Sequence, residues 1–201
     1  MPLTRAHLLL ACSAALIGTG QASAQAALRL SAGAVVSTPL VRDDLGGPIT
    51  LKPAIAPTLA VAVSHDVGLG YRLQLEGAIG SSTLKVTDNG VNDELGALRT
   101  MSLTLLLDGP IGHSLRWQAG GGALLYRPAE KFGVFLDDSP TRWLLAAGAS
   151  WSRPLNAAYS VVVNARYNYS TFTTKHLDQI GYSQFTTVQR VGLFAGVERR
   201  F

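Results

Sequence analysis

The alternation of apolar and polar residues towards residue 201 constrains the fold of this chain more than any other feature. From Val191 to Val197 the odd-numbered positions are apolar, and Phe201 repeats the pattern, whereas Gly, Glu and Arg occupy most of the even-numbered positions. A period of two residues indicates a β-strand with one apolar and one polar face. Such a strand suits the wall of a membrane barrel and also a soluble sandwich, so the remaining segments must distinguish these two folds.

Seven further segments show the same alternation. The eight predicted strands are residues 28–37, 58–66, 71–82, 99–108, 115–127, 142–152, 159–170 and 187–201. An even number of two-faced strands at this chain length is typical of an outer-membrane barrel. We therefore predict an all-β chain, folded as an eight-stranded antiparallel up-and-down transmembrane β-barrel.

The composition agrees with a lipid-facing barrel. Hydrophobic residues make up 47% of the chain and charged residues only 15%, yet after residue 24 no apolar run approaches the ~20 residues of a spanning helix. No basic patch, phosphate-binding loop or metal-ligand cluster indicates a nucleic acid, a cofactor or a metal. The acidic stretch 88–94 lacks the ligand spacing of a calcium loop.

The first residues have the layout of a secretory signal peptide. Arg5 precedes an apolar run at 8–17, and Ala22, Ser23 and Ala24 supply a cleavage site, so we expect a signal peptide at 1–24 and one barrel domain at 25–201. Cys12 could instead end a lipoprotein cleavage box, but the apolar run continues past it.

The connections alternate in length, as bacterial barrels require. Short links fall at 65–70, 109–114 and 153–158, and long links at 38–57, 86–98, 128–141 and 171–186. The short links are predicted to be periplasmic turns and the long ones extracellular loops. With this topology the outward-facing aromatic residues form two girdles at the membrane interfaces. The periplasmic girdle contains Tyr71, Trp117, Trp151, Tyr159 and Phe201, and the outer girdle contains Trp143 and Tyr169.

With these features the chain resembles the small eight-stranded outer-membrane proteins, the OmpX/Ail group and the membrane domain of OmpA. The resemblance rests on the signal, the strand rhythm and the final GVERRF, where the group often has Gly-x-Gly-Tyr-Arg-Phe. Here Glu198 and Arg199 replace the usual Gly and Tyr. The resemblance implies a monomeric Gram-negative outer-membrane protein whose final aromatic residue is read by the barrel assembly machinery.

Inward-facing charges indicate how the barrel interior is filled. Eight strands enclose a space that side chains nearly fill, and each charge there needs a partner. We predict a salt-bridged plug towards the periplasmic end, formed by Arg29, Arg72, Glu76, Asp108, Arg116, Glu198 and Arg200.

The outer half of the interior is expected to differ. Its inward positions include small residues such as Gly120 and Gly122, while Arg166 and Arg190 lack an obvious inward acid. Either loop acids such as Asp43, Asp44 or Asp178 pair with these arginines, or the two form a candidate cup, open outwards, for an anionic or amphipathic ligand.

Three outward-facing cations, Lys85, Arg99 and Arg127, are predicted at the outer ends of consecutive strands. They could bind the phosphates of lipopolysaccharide or simply extend to the lipid headgroups. The predicted partners are therefore outer-membrane lipids and lipopolysaccharide, with an extracellular ligand or host surface at the loops.

The function predicted from the sequence is a structural or surface-interaction role through four extracellular loops. Two alternatives are a narrow channel or binding cup, and a lipid A deacylase or acyltransferase. For an enzyme, His65 and His113 lie in predicted periplasmic turns, and only His176 lies on the predicted outer side, with Ser139, Ser183, Asp137 or Asp138 as candidate partners. Loop residues of these types occur together by chance, so no catalytic residue is assigned.

Overall fold

The computed structural model describes residues 26–43, 49–88, 91–129, 140–174 and 186–201. These residues form ten strands and no helix. The strands are β1 (Ala26–Ser37), β2 (Val41–Asp43), β3 (Ile49–Pro53), β4 (Ala56–Gly68), β5 (Tyr71–Asp88), β6 (Val91–Pro110), β7 (Leu115–Pro128), β8 (Thr141–Pro154), β9 (Tyr159–Phe172) and β10 (Thr186–Arg200).

Eight of the strands close into a ring, which confirms the predicted fold class. The order around the ring is β1, β10, β9, β8, β7, β6, β5 and β4, and every neighbouring pair is antiparallel. The first and last strands pair from Ala27 opposite Arg200 to Ser37 opposite Arg190. A bilayer does not tolerate an unpaired strand edge, and a closed ring leaves none.

The predicted loop 38–57 is partly wrong, because it contains the two short strands. β3 pairs with the outer part of β5, where Lys52 lies opposite Lys85, and β2 pairs with β3. Backbone hydrogen bonds continue across the interruption, from Ala54 N to Thr83 O at 2.8 Å. The first outer connection therefore extends the barrel wall instead of leaving it.

The predicted loop 86–98 is also wrong, since β5 runs to Asp88 and β6 begins at Val91. β5 has 18 residues and β6 has 20, whereas a tilted membrane strand needs about 9–11. The ladder shifts register beside Leu84, near Gly96 with its φ of 109°. The hairpin can therefore bend where it projects beyond the membrane.

Large apolar side chains cover the outer wall. Leu30 and Leu193, on the paired strands β1 and β10, are 62% and 61% exposed. The same face carries exposed Leu28, Val36, Leu59, Val61, Val63, Leu73, Leu75, Ile79, Met101, Leu103, Leu105, Leu107, Leu145, Val191 and Val197. A belt of this size is stable only against lipid. None of the described residues forms a helix long and apolar enough to cross a membrane.

Candidate functional site

Ion pairs cross the barrel interior towards the end that carries the short turns. Arg29 on β1 donates from Nη2 to Oε2 of Glu76 on β5 at 3.1 Å, although β4 lies between these strands. Arg72 donates to Oε1 of Glu198 at 3.2 Å, and Arg200 Nε lies 3.5 Å from the same oxygen. All these side chains belong to the set predicted as the plug.

A second group of polar contacts lies on β6, β7 and β9. The Nε atom of Arg116 donates to Asp108, whose other oxygen accepts from Gln118 Nε2 at 3.2 Å. Gln118 accepts in turn from Asn164 Nδ2 at 2.8 Å. The seven predicted plug residues thus form ion pairs in three separate groups. Gln118 and Asn164 extend one of these groups from β7 to β9.

Arg166 has an inward acid as a partner, although no such acid is obvious from the sequence. Its Nη1 atom lies 2.5 Å from Oε1 of Glu76, and its guanidinium group lies 5.6 Å from the ring centroid of Phe194. The lumen is narrow enough for an arginine to reach the opposite wall, so spacing along the sequence could not show this pair. Glu76 therefore pairs both with Arg29, a residue of the predicted plug, and with Arg166, a residue of the candidate cup.

Arg190 has a different environment. It is buried, and its Nη2 atom donates to the Oγ1 atom of Thr100 at 3.2 Å. Among the described residues no carboxylate lies within 4.0 Å of this guanidinium group. Of the loop acids predicted as its partners, Asp44, Asp178 and the side chain of Asp43 lie outside the described residues.

The outer half of the interior is filled within the described residues, which disfavours the alternative of an open cup. A buried apolar cluster occupies it, and Tyr126 packs edge to face on Phe172 with ring centroids 5.3 Å apart. The cluster consists of Leu40, Leu51, Leu84, Leu98, Leu124, Tyr126, Leu144, Phe172 and Val188. Most of these residues are large and apolar and occupy inward positions at the outer strand ends. This pattern in the sequence could have predicted the cluster. The sequence interpretation missed the cluster because it considered only the small inward residues and the two arginines, and because Leu40, Leu51, Leu98 and Phe172 fall in predicted long links.

Arg166 and Arg190 nevertheless line one small interior cavity of about 20 Å³. Its wall also includes Glu76, Thr100 and Leu144. This is room for roughly one or two water molecules, and it excludes an amphipathic ligand.

The three outward-facing cations predicted at the outer strand ends, Lys85, Arg99 and Arg127, lie at two separate positions on the wall. Arg99 lies directly opposite Arg127, as neighbours on β6 and β7. Lys85 lies four residues beyond Ser81, the residue opposite Arg99, which is about 13 Å farther along the strand. It pairs with exposed Glu94 at 3.3 Å. It also lies opposite Lys52, and sequence reasoning missed this pair of lysines because it assigned residue 52 to a loop.

The aromatic residues form contacts at both ends of the wall. Tyr71 and Trp117 meet edge to face at 6.2 Å beside the short turns, while Trp143 and Tyr169 lie 5.7 Å apart nearer the long connections. Trp151 and Tyr159 are exposed beside the short turn 155–158. The guanidinium group of Arg199 lies 4.8 Å from the ring centroid of Phe201 and 5.8 Å from that of Tyr159.

The residues considered for catalysis are not brought together within the described structure. Ser139, Asp137, Asp138, His176 and Ser183 lie outside it. His65 and His113 lie at the end with the short turns. No three His, Cys, Asp or Glu side chains of the described residues are grouped as a metal site requires.

Comparison with solved structures identifies the architecture. The attachment invasion locus protein Ail of Yersinia pestis, in complex with the heparin analogue sucrose octasulfate, is 15% identical, with a TM-score of 0.51 over 88% of this chain and 99% of Ail. OprG of Pseudomonas aeruginosa is 13% identical, with a TM-score of 0.54 over 90% of this chain and 98% of OprG. AlkL is 12% identical, with a TM-score of 0.62 over 92% of this chain and 93% of AlkL.

The chain has the fold of the small outer-membrane β-barrels. No protein-family model and no curated protein matches its sequence. The apolar belt of this barrel requires a bilayer, and a closed β-barrel is the form in which strands can cross one. The fold and the belt together indicate a barrel that spans a lipid bilayer.

Proposed function

We propose that this protein is a closed, monomeric outer-membrane barrel with a structural or surface-interaction role. The filling of the lumen is the observation that carries the proposal. Ion pairs cross the lumen at the level of Glu76, and the apolar cluster occupies the space on the outer side of Leu144. A solute path through the described interior would have to break both layers, so an activity at the outer surface is favoured over conduction.

Cations on the outer wall support contact with anionic groups of lipopolysaccharide. Arg99 faces Arg127 and Lys52 faces Lys85 across neighbouring strands. Like charges in these positions repel each other, so a phosphate bound between them would remove the repulsion and form charge-assisted hydrogen bonds. Of these four cations, only Lys85 has a carboxylate partner among the described residues.

A groove beside Lys52 and Lys85 fits the same type of partner. It has a volume of about 360 Å³ and is lined by both lysines and by apolar Val36 and Ile55. A phosphorylated lipid presents an anionic head above apolar chains and matches this arrangement. Ail, which shares the fold, binds the heparin analogue in its crystal structure, so a barrel of this size can hold a polyanionic sugar.

Two measurements on the purified barrel test the proposal. In liposome-swelling assays it should admit no sugar above the protein-free background, whereas uptake at the level of a general porin would disprove a closed barrel. Its melting temperature in detergent should rise when purified lipopolysaccharide is added. An unchanged melting temperature would remove the proposed partner.

Two other functions have separate tests. Host-surface attachment would use the loops predicted from the sequence, and their apolar candidates Phe132, Phe135 and Phe185 lie outside the described residues. A lipid A enzyme would change the acylation pattern, so the mass spectrum of lipid A from a deletion strain would differ from that of its parent.

A further inference from the structure

The interior of the barrel carries more positive than negative charge. Its arginines include Arg29, Arg72, Arg116, Arg166, Arg190 and Arg200, whereas its buried acids among the described residues are Glu76, Asp108 and Glu198. Asp66, at the turn end, adds one half-exposed carboxylate beside Arg72. The excess is greatest around the cavity, where Glu76 faces two arginines and Arg190 has no acid within 4.0 Å among the described residues.

Arg190 is the side chain that requires a counter-charge. It is only 7% exposed, and a guanidinium group remains protonated at any physiological pH. Its hydrogen bond to Thr100 is a contact with a neutral group. A buried charge without an opposite charge is strongly destabilising, because its interaction with water is lost and is not replaced.

The cavity beside Arg190 has the chemistry of a small anion site. Its wall contains the two guanidinium groups of Arg166 and Arg190 and the hydroxyls of Thr100 and Ser102, together with the carboxylate of Glu76, which is already paired with Arg166. Because Thr100 accepts from Arg190, its own hydroxyl proton is free to donate. The volume of about 20 Å³ suits a monatomic ion and is too small for a sugar, a nucleotide or a lipid headgroup.

Leu144 lies in both the cavity wall and the apolar cluster, which places the cluster on the outer side of the cavity. A loop carboxylate on the side of Leu144 would therefore have to pass through apolar packing to reach Arg190. We propose that Arg190, Arg166 and the hydroxyl of Thr100 bind a halide ion, chloride under cellular conditions, as a structural counter-ion inside the barrel. This site is independent of the proposed role of the outer surface.

Thermal unfolding of the full barrel in detergent tests the site. The melting temperature should be higher in sodium chloride or bromide than in sodium gluconate at equal ionic strength, and the increase should saturate with halide concentration. Arg190→Leu should remove the dependence on halide, whereas Arg200→Leu should retain it, because Arg200 is paired with Glu198 away from the cavity. A wild-type barrel insensitive to halide, or an Arg190→Leu barrel that keeps the full effect, would overturn the proposal.

Crystals of the wild-type barrel grown in bromide provide a test that does not depend on the folding of a variant. We expect an anomalous bromine peak within hydrogen-bonding distance of the Arg190 guanidinium group and Thr100 Oγ1. Bromide elsewhere only, or a water molecule or loop carboxylate beside Arg190, would show that no halide occupies the cavity.

Discussion

Glu76 and Arg166 meet at 2.5 Å although their strands, β5 and β9, lie on opposite sides of the ring. Three strands lie between them in either direction around the ring. Arg29 approaches the other oxygen of the same carboxylate at 3.1 Å. One buried glutamate therefore connects three parts of the wall that share no ladder hydrogen bonds.

Replacing Glu76 with Gln should destabilise the barrel strongly. The amide preserves the shape but leaves Arg29 and Arg166 buried without their counter-charge, a change that costs about 3–5 kcal/mol when one partner of a buried pair is removed. The measurement is urea unfolding in lipid vesicles, followed by tryptophan fluorescence. Glu94→Gln is the control, because its pair with Lys85 is exposed and should contribute less than about 1 kcal/mol.

Truncation of the apolar cluster should destabilise the barrel and, together with loss of the ion pairs at Glu76, open it. Leu124→Ala and Leu144→Ala each remove a buried side chain, with an expected loss of about 2–5 kcal/mol. Because the ion pairs at Glu76 form a second layer, we expect larger single-channel currents in planar bilayers than in the wild type only when Glu76→Ala is added to the double variant. Leu145→Ala, which lies on the lipid-facing side of the same strand, should leave the current unchanged. A triple variant whose current equals that of the wild type would show that these two layers do not close the lumen.

Gly122 allows β7 to approach β6 closely. A Cβ atom at this position would overlap the backbone carbonyl of Leu103, so the wall must move to accept Gly122→Ala. We expect a loss of about 1–3 kcal/mol, the usual cost of overpacking. Gly77→Ala on β5 meets no atom within 4 Å and serves as the control. Unfolding of the two variants at the same urea concentration would contradict the expected close approach.

The lipopolysaccharide contact should depend on the opposed arginines. The Arg99→Ala, Arg127→Ala double variant should lose most of the rise in melting temperature caused by lipopolysaccharide, because it removes both cations of one pair. At a ligand concentration 100 times Kd, the lost stabilisation would be about 2.7 kcal/mol. Arg153→Ala removes a cation at the opposite end of the wall and should keep the full effect. A double variant that responds as the wild type does would place the contact elsewhere, with Lys52 and Lys85 as the next candidates.

Much of the architecture could be predicted because lipid and lumen impose opposite demands on successive residues. The alternation around Val191 predicts the last strand and its lipid-facing side. Closure of the predicted barrel pairs this strand with the first, and the structure shows that pairing from Ala27 to Ser37. The alternation weakens once a strand leaves the membrane, since both faces then meet water. The sequence pattern therefore predicts loops at the outer parts of β5 and β6 and at all of β2 and β3, where the structure has strands.

The sequence by itself determined a closed barrel with a polar interior near the turns, because any other arrangement of these two-faced strands exposes backbone or charge to lipid. Only the tertiary structure decided which interior groups meet. Ring closure brings Arg166 to Glu76 and Arg190 to Thr100 across the lumen, and strand register places Lys52 opposite Lys85. Contacts across a lumen have no period along the chain, so no local pattern could have revealed them.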